Sequence, residues 1–148
     1  MPDTPDDQTL LALDYGLKNI GVAVGSRRSG SAQPLTTLRT DRNGFPWPVL
    51  DRLVAQWDPD LLIVGVVPGA KGPFAASLKR FLSQLGVRYP LPVCPWDERE
   101  TSEVAQLEIR EHRADGRQPR RKSSQFQDAV AACLLLESYL NHPAPPCP

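Results

Sequence analysis

The sequence predicts an α/β fold: a mixed five-stranded sheet with antiparallel first three strands and helices on both faces. Three observations carry this expectation. Leu11, Ala12 and Leu13, like Leu61 to Val67, run apolar without polar alternation, as in central strands buried on both faces. Three strand-like segments follow one another over short turns before any helical spacing begins. After them, helical and strand spacings alternate to the end, which places helices against the faces of a sheet.

The strands of the opening meander are expected at Thr9–Tyr15, Ile20–Gly25 and Pro34–Thr40, with Gly16 and the Arg27–Ser31 stretch supplying turn chemistry. Pro46 to Trp57 places Val49, Leu50, Leu53, Val54 and Trp57 at helical spacing. Leu61–Val67 is a strand closed by Pro68 and Gly69. Pro73–Leu85 reads as a helix with Phe74, Leu78, Phe81, Leu82 and Leu85 on one face. Leu91–Cys94 is a short strand. Thr101 or Ser102 can cap a helix running to about His112, the segment Ala114–Lys122 is polar, and Ser123–Leu140 is the last helix.

A chain of 148 residues suits one domain with a sizeable core, expected over 9–141, with a disordered tail at 1–8 and a proline-rich one at 142–148. Lysine plus arginine and aspartate plus glutamate both number 17, so net charge names no partner. Cys94, Cys133 and Cys147 lack metal-ligand spacing, and their odd number argues against a disulfide framework, which suggests a reducing compartment. The start, MPDTPDDQ, is the reverse of a basic signal peptide, and no apolar run is long enough to span a bilayer. The expectation is a cytoplasmic protein with no membrane partner.

Three carboxylates stand out. Asp14 ends an apolar strand, where an ionised group is costly unless a cation or several donors compensate it; it reads equally as a metal ligand or as a turn residue beside Gly16. Glu98, in WDERETS, lies beyond a strand end, where ligand-binding groups of α/β sheets gather. The bland reading is a solvated acidic loop leading into a helix. Asp128 shares a helical face with Ala131, Ala132, Leu135 and Tyr139. Ser123 or Ser124 would cap that helix, placing Asp128 early in it; the plain alternative is a carboxylate reaching solvent at the edge of the buried face. Together the three form an oxygen-only set suited to Mg²⁺ or Mn²⁺ rather than zinc, and such sets serve phosphoryl chemistry.

The segment from Arg110 to Lys122 holds six arginines and lysines against two acids, and Gly116 and Pro119 make it a loop. Its cations suit phosphates, though such loops are also often only solvated. The stretch from Gly65 to Gly72 lacks Walker A spacing and reads as a plain strand-to-helix turn.

Four motifs in order, LDYGLKNIGVAV, IVGVVPGAKG, WDERETS and KSSQFQDAVAACLLLESYL, make the chain resemble the YqgF family, also called RuvX, of the ribonuclease H-like superfamily. The resemblance runs from about Leu10 to Leu140. It implies a ribonuclease H-like fold, metal ligands at Asp14, Glu98 and Asp128, and a bacterial cytosolic nuclease with a proposed role in maturing the 5′ end of pre-16S ribosomal RNA. Branched DNA is implied as another substrate. Phosphates would then be held by Lys18, Arg99, Arg113, Arg117, Arg120, Arg121 and Lys122. The chain departs from the family at Asn19, where a second basic residue is usual, and in GVVPGAKG, which lacks an acidic residue. Competing expectations are a non-catalytic RNA- or ribosome-binding protein and an ATP-binding protein, for whose paired domains the chain is too short. The sequence leaves monomer and homodimer equally open.

Overall fold

The computed structural model describes residues 8–40, 44–67, 69–97 and 120–142, the side chains of 120–126 excepted. In chain order they form β1 (Thr9–Tyr15), β2 (Asn19–Ser26), β3 (Ser31–Arg39), α1 (Trp47–Trp57), β4 (Leu61–Val66), α2 (Gly72–Arg88), β5 (Val93–Asp97) and α3 (Arg120–Asn141). The sheet order is β3-β2-β1-β4-β5. β1 pairs antiparallel with β2, and β2 with β3, while β4 runs parallel to both β1 and β5. The expected antiparallel meander and mixed five-stranded sheet are therefore present. Because β1, β4 and β5 are mutually parallel, their carboxyl ends, at Tyr15, Val66 and Asp97, share one edge.

The central strands are as dry as their composition requires. Leu10 to Leu13 and Leu61 to Val64 are all fully buried. Period-two alternation divides them between two cores. Leu11, Leu13, Tyr15, Leu62 and Val64 face α1 and α2, meeting Leu50, Leu78, Phe81 and Leu85. Leu10, Ala12, Leu61 and Ile63 face α3, meeting Leu135, Leu136 and Tyr139. α1 and α2 each carry proline in the first turn, where its fixed φ suits the helix and its missing N–H costs nothing. Asp60 ties the starts of β1 and β4 together: its N–H donates to the Thr9 carbonyl at 2.7 Å, and its carboxylate accepts from the Thr9 N–H at 2.9 Å.

Several boundaries differ from expectation for physical reasons. β5 runs from Val93 to Asp97 rather than stopping at Cys94, because β4 supplies a pairing partner through Val66↔Asp97. Pro95 is tolerated there because β5 is an edge strand. α3 begins at Arg120 rather than Ser123, so Arg120, Arg121 and Lys122 are helical, not loop. Arginine and lysine are good helix formers, and no glycine or proline intervenes between Pro119 and Pro143 to stop them. Ser123 and Ser124 consequently lie inside the helix and do not cap it. Cys94 is disulfide-bonded, against the expectation of a reducing compartment without a disulfide framework, whereas Cys133 is free. The helix expected from Thr101 or Ser102 to His112 lies outside the described residues. No helix among the described residues is long and apolar enough to cross a membrane.

Candidate active site

Asp14 is the penultimate residue of β1 and half-buried. Alternation from Leu10 and Ala12 places it on the face covered by α3, at the edge where the three parallel strands end. Its partner across the β1–β2 ladder is Gly21, which in turn pairs with Thr37 on β3. Directly paired residues of antiparallel strands have Cα atoms roughly 4.5–5.5 Å apart, so whatever rests on Gly21 rests beside Asp14.

What rests on Gly21 is the backbone of Asp128. A Cβ built on Gly21 would meet the Asp128 carbonyl oxygen at 1.8 Å, its carbon at 2.3 Å and the Ala129 nitrogen at 3.0 Å. Helix and strand are in backbone contact at this point, and the contact brings the residues bearing two expected carboxylates to one glycine. Asp128 is half-buried, and three of its expected face-mates, Ala132, Leu135 and Tyr139, are buried, while Ala131 is half-buried. One expectation changes. With α3 starting at Arg120, Asp128 stands more than two turns in, beyond the first-turn reach of the helix dipole. What it does have there is backbone contact with Gly21.

Of the other expected site residues, Lys18 is exposed in the β1–β2 turn at the same edge, and its carbonyl accepts from the Thr40 N–H at 2.9 Å. Arg120, Arg121 and Lys122 open α3, which carries Asp128. Glu98, Arg99, Arg113 and Arg117 lie outside the described residues, though β5 delivers the chain as far as Asp97 to the edge that holds Asp14. Among the described residues no three histidines, cysteines or acids come together as a metal cluster. A cavity of about 410 Å³ opens at the opposite end of β1, around Thr9, Ser26, Ser31, Gln33 and Trp57. Among the described residues no titratable side chain lines it. Gly21 is the site residue that sequence reasoning missed. Its signal was present: a glycine inside an apolar strand marks a bulge or a close backbone approach.

The donors present suit a hard divalent cation. Asp14 and Asp128 offer carboxylate oxygens. Cys133 supplies no thiolate, since burial pushes its thiol up to about 11 with Glu137 adding to the rise. His142 packs edge-on against Trp96 at the end of α3, about 20 Å along the helix from Asp128. Among the described residues, softer ions that favour imidazole or sulfur are therefore poorly served.

This sheet order, with one helix laid across the antiparallel half, is the ribonuclease H-like architecture of the resolvases. Its backbone is similar to Thermus thermophilus RuvC solved with Holliday junction substrate, with a TM-score of 0.59 and 16% identity over 88% of this chain and 94% of that one. It is also similar to the fowlpox virus resolvase solved with Holliday junction DNA, with a TM-score of 0.54 and 16% identity over 89% and 96%. The chain belongs to the RuvX family, whose model, described as Holliday junction resolvase, matches residues 8–142. A Xanthomonas axonopodis relative named "Putative pre-16S rRNA nuclease" is 39% identical over 140 residues, covering 93% of this chain and 90% of that one. A Glaesserella parasuis relative of the same name is 39% identical over 136 residues, covering 89% and 95%.

Proposed function

We propose that this protein is a divalent-metal-dependent nuclease that hydrolyses phosphodiester bonds of RNA and acts in 5′-end maturation of pre-16S ribosomal RNA. The observation that carries the reading is the convergence of Asp14 and Asp128 on Gly21. The curated relatives' name supports the RNA substrate. Asp14, Glu98 and Asp128 would hold Mg²⁺ or Mn²⁺, which supplies activation of a water and charge neutralisation at the departing oxygen. Asp14 and Asp128, on a strand and a helix rather than on loops, keep their carboxylates fixed relative to each other. Lys18, Arg99, Arg113, Arg117, Arg120, Arg121 and Lys122 would contact phosphates, with Lys18 orienting the strand at the mouth of the site.

Asp14→Asn keeps the size of the side chain and removes its charge. It is expected to reduce Mn²⁺- or Mg²⁺-dependent cleavage of a precursor rRNA fragment by at least 100-fold while the thermal midpoint stays near that of the wild type. Cleavage at the wild-type rate would overturn the reading. A second reading, resolution of branched DNA, is favoured by the family description and by the likeness to two resolvases solved with junctions. Cutting a four-way junction faster than precursor rRNA, with the same metal, would favour it.

A further inference from the structure

Gly21 lies between two residues expected to hold metal, yet it has no side chain and no part in the chemistry. It is buried beneath α3, in a track of small residues on β2. Ala23, in the same track, packs against Ala132 and Cys133. Gly25 continues it; a Cβ there would lie 3.0 Å from the Leu136 side chain and 2.7 Å from the Ser31 carbonyl oxygen. The two glycines differ in what they meet. At Gly25 the helix contributes the tip of a flexible leucine. At Gly21 it contributes backbone, and that backbone belongs to Asp128. Since a Cβ built on Gly21 would lie 1.8 Å from the Asp128 oxygen, the Gly21 Cα lies within about 3.3 Å of it, the range of a Cα–H···O contact.

We infer that Gly21 is a positioning residue for the metal site: it sets the spacing between Asp14 and Asp128 by acting as the seat of α3. This rests on the nuclease reading only in assigning a metal to the two aspartates. The physical argument is one of tolerance. Van der Waals contact between two backbones leaves no rotamer to adjust, so any added atom must displace the helix or the strand. Because Asp14 pairs with Gly21 and Asp128 sits on it, that displacement falls between the two carboxylates. Displacing Asp128 by even 1 Å is enough to impair a constellation that requires its ligands held to a fraction of that distance.

The test compares Gly21→Ala with Gly25→Ala, measuring Mn²⁺ binding by electron paramagnetic resonance without nucleic acid, beside thermal midpoints. Both variants are expected to lose stability. Only Gly21→Ala is expected to weaken Mn²⁺ binding, by 10- to 100-fold, with cleavage partly recovered at high Mn²⁺. Gly25→Ala should bind Mn²⁺ within about twofold of the wild type. Equal affinity in the two variants, whether both retained or both lost, overturns the inference. If Gly21→Ala does not fold, Ala132→Val takes its place, adding bulk between α3 and Ala23 one turn from Asp128. A folded Ala132→Val with wild-type Mn²⁺ affinity overturns the inference as well. Failure of the underlying reading looks different: wild-type protein would then bind no Mn²⁺ that Asp14→Asn abolishes.

Discussion

On one face of the sheet, Tyr15, Phe45, Trp47, Phe74, Phe81 and Tyr89 interlock between the strands and the helices α1 and α2. Phe81 lies at their centre, 4.9 Å from Tyr15, 5.1 Å from Phe45 and stacked on Trp47 at 5.6 Å. On the other face Gly21 meets the α3 backbone at Asp128, Ala23 packs against Ala132 and Cys133, and Gly25 meets the tip of Leu136. Rings hold a helix away from a sheet and can repack when one of them changes. Backbone contact fixes a helix to a fraction of an ångström and has no such slack. The expected metal ligands Asp14 and Asp128 lie on the face without slack, where placement matters more than bulk.

The comparison can be broken first on the aromatic face. Phe81→Ala empties the centre of the ring cluster and is expected to cost about 3–5 kcal/mol of stability by denaturant titration. Mn²⁺ affinity measured well below the melting temperature should stay within about threefold of the wild type. Affinity falling as far as in Gly21→Ala would mean that the two faces do not divide stability and site geometry between them.

A smaller effect sharpens the view of α3, which is held differently at Asp128 and at its far end. Its far end is anchored by Tyr139, fully buried, which packs edge-on against Trp96 at 5.2 Å. The Tyr139 hydroxyl accepts from the Arg27 guanidinium at 3.1 Å, and the same Arg27 lies 5.4 Å over the ring. Tyr139→Phe keeps the ring and deletes the hydroxyl, so about 1–2 kcal/mol of stability should be lost. Gly21 still seats the helix at Asp128, and Mn²⁺ affinity is expected to be unchanged. A tenfold loss of affinity would show that the far anchor also sets the carboxylate spacing.

The same contrast explains what the residues revealed before any coordinates. β1, β2 and β4 were legible because dry central strands need unbroken apolar runs, and α1 and α2 because large side chains recur at helical spacing. The full length of β5 is not legible: its hydrophobic signal stops at Cys94, and Pro95 argues against a strand except at an edge, which only the sheet order reveals. The start of α3 is not legible because Arg120, Arg121 and Lys122 share the charge of a solvated loop, although arginine and lysine favour helix. Asp14 and Asp128 were legible as carboxylates in apolar settings. Their convergence was not, because it depends on an absent side chain at Gly21 and on a crossing between elements 107 residues apart.

The smallest expected effect lies on the outside of the aromatic face, where α1 and α2 are tied together by charge rather than rings. Arg88 donates to both carboxylate oxygens of Asp51 at 2.8 and 2.6 Å, and the Tyr89 hydroxyl donates to the same group at 2.6 Å. The Arg88 and Tyr89 hydrogen bonds hold the Asp51 carboxyl down at about 2, below its ordinary 3.8. A depressed carboxylate stabilises the fold above its unfolded value, and the contribution is lost as pH falls from about 4 towards about 2. The pair is partly exposed and screened by solvent. Asp51→Asn should therefore lower the thermal midpoint by no more than a few degrees at pH 7, with the gap from wild type closing as pH approaches 2. A gap that persists at pH 2 would assign the loss to packing of α1 on α2 instead of charge, and would extend the slack-tolerant character of this face to its surface.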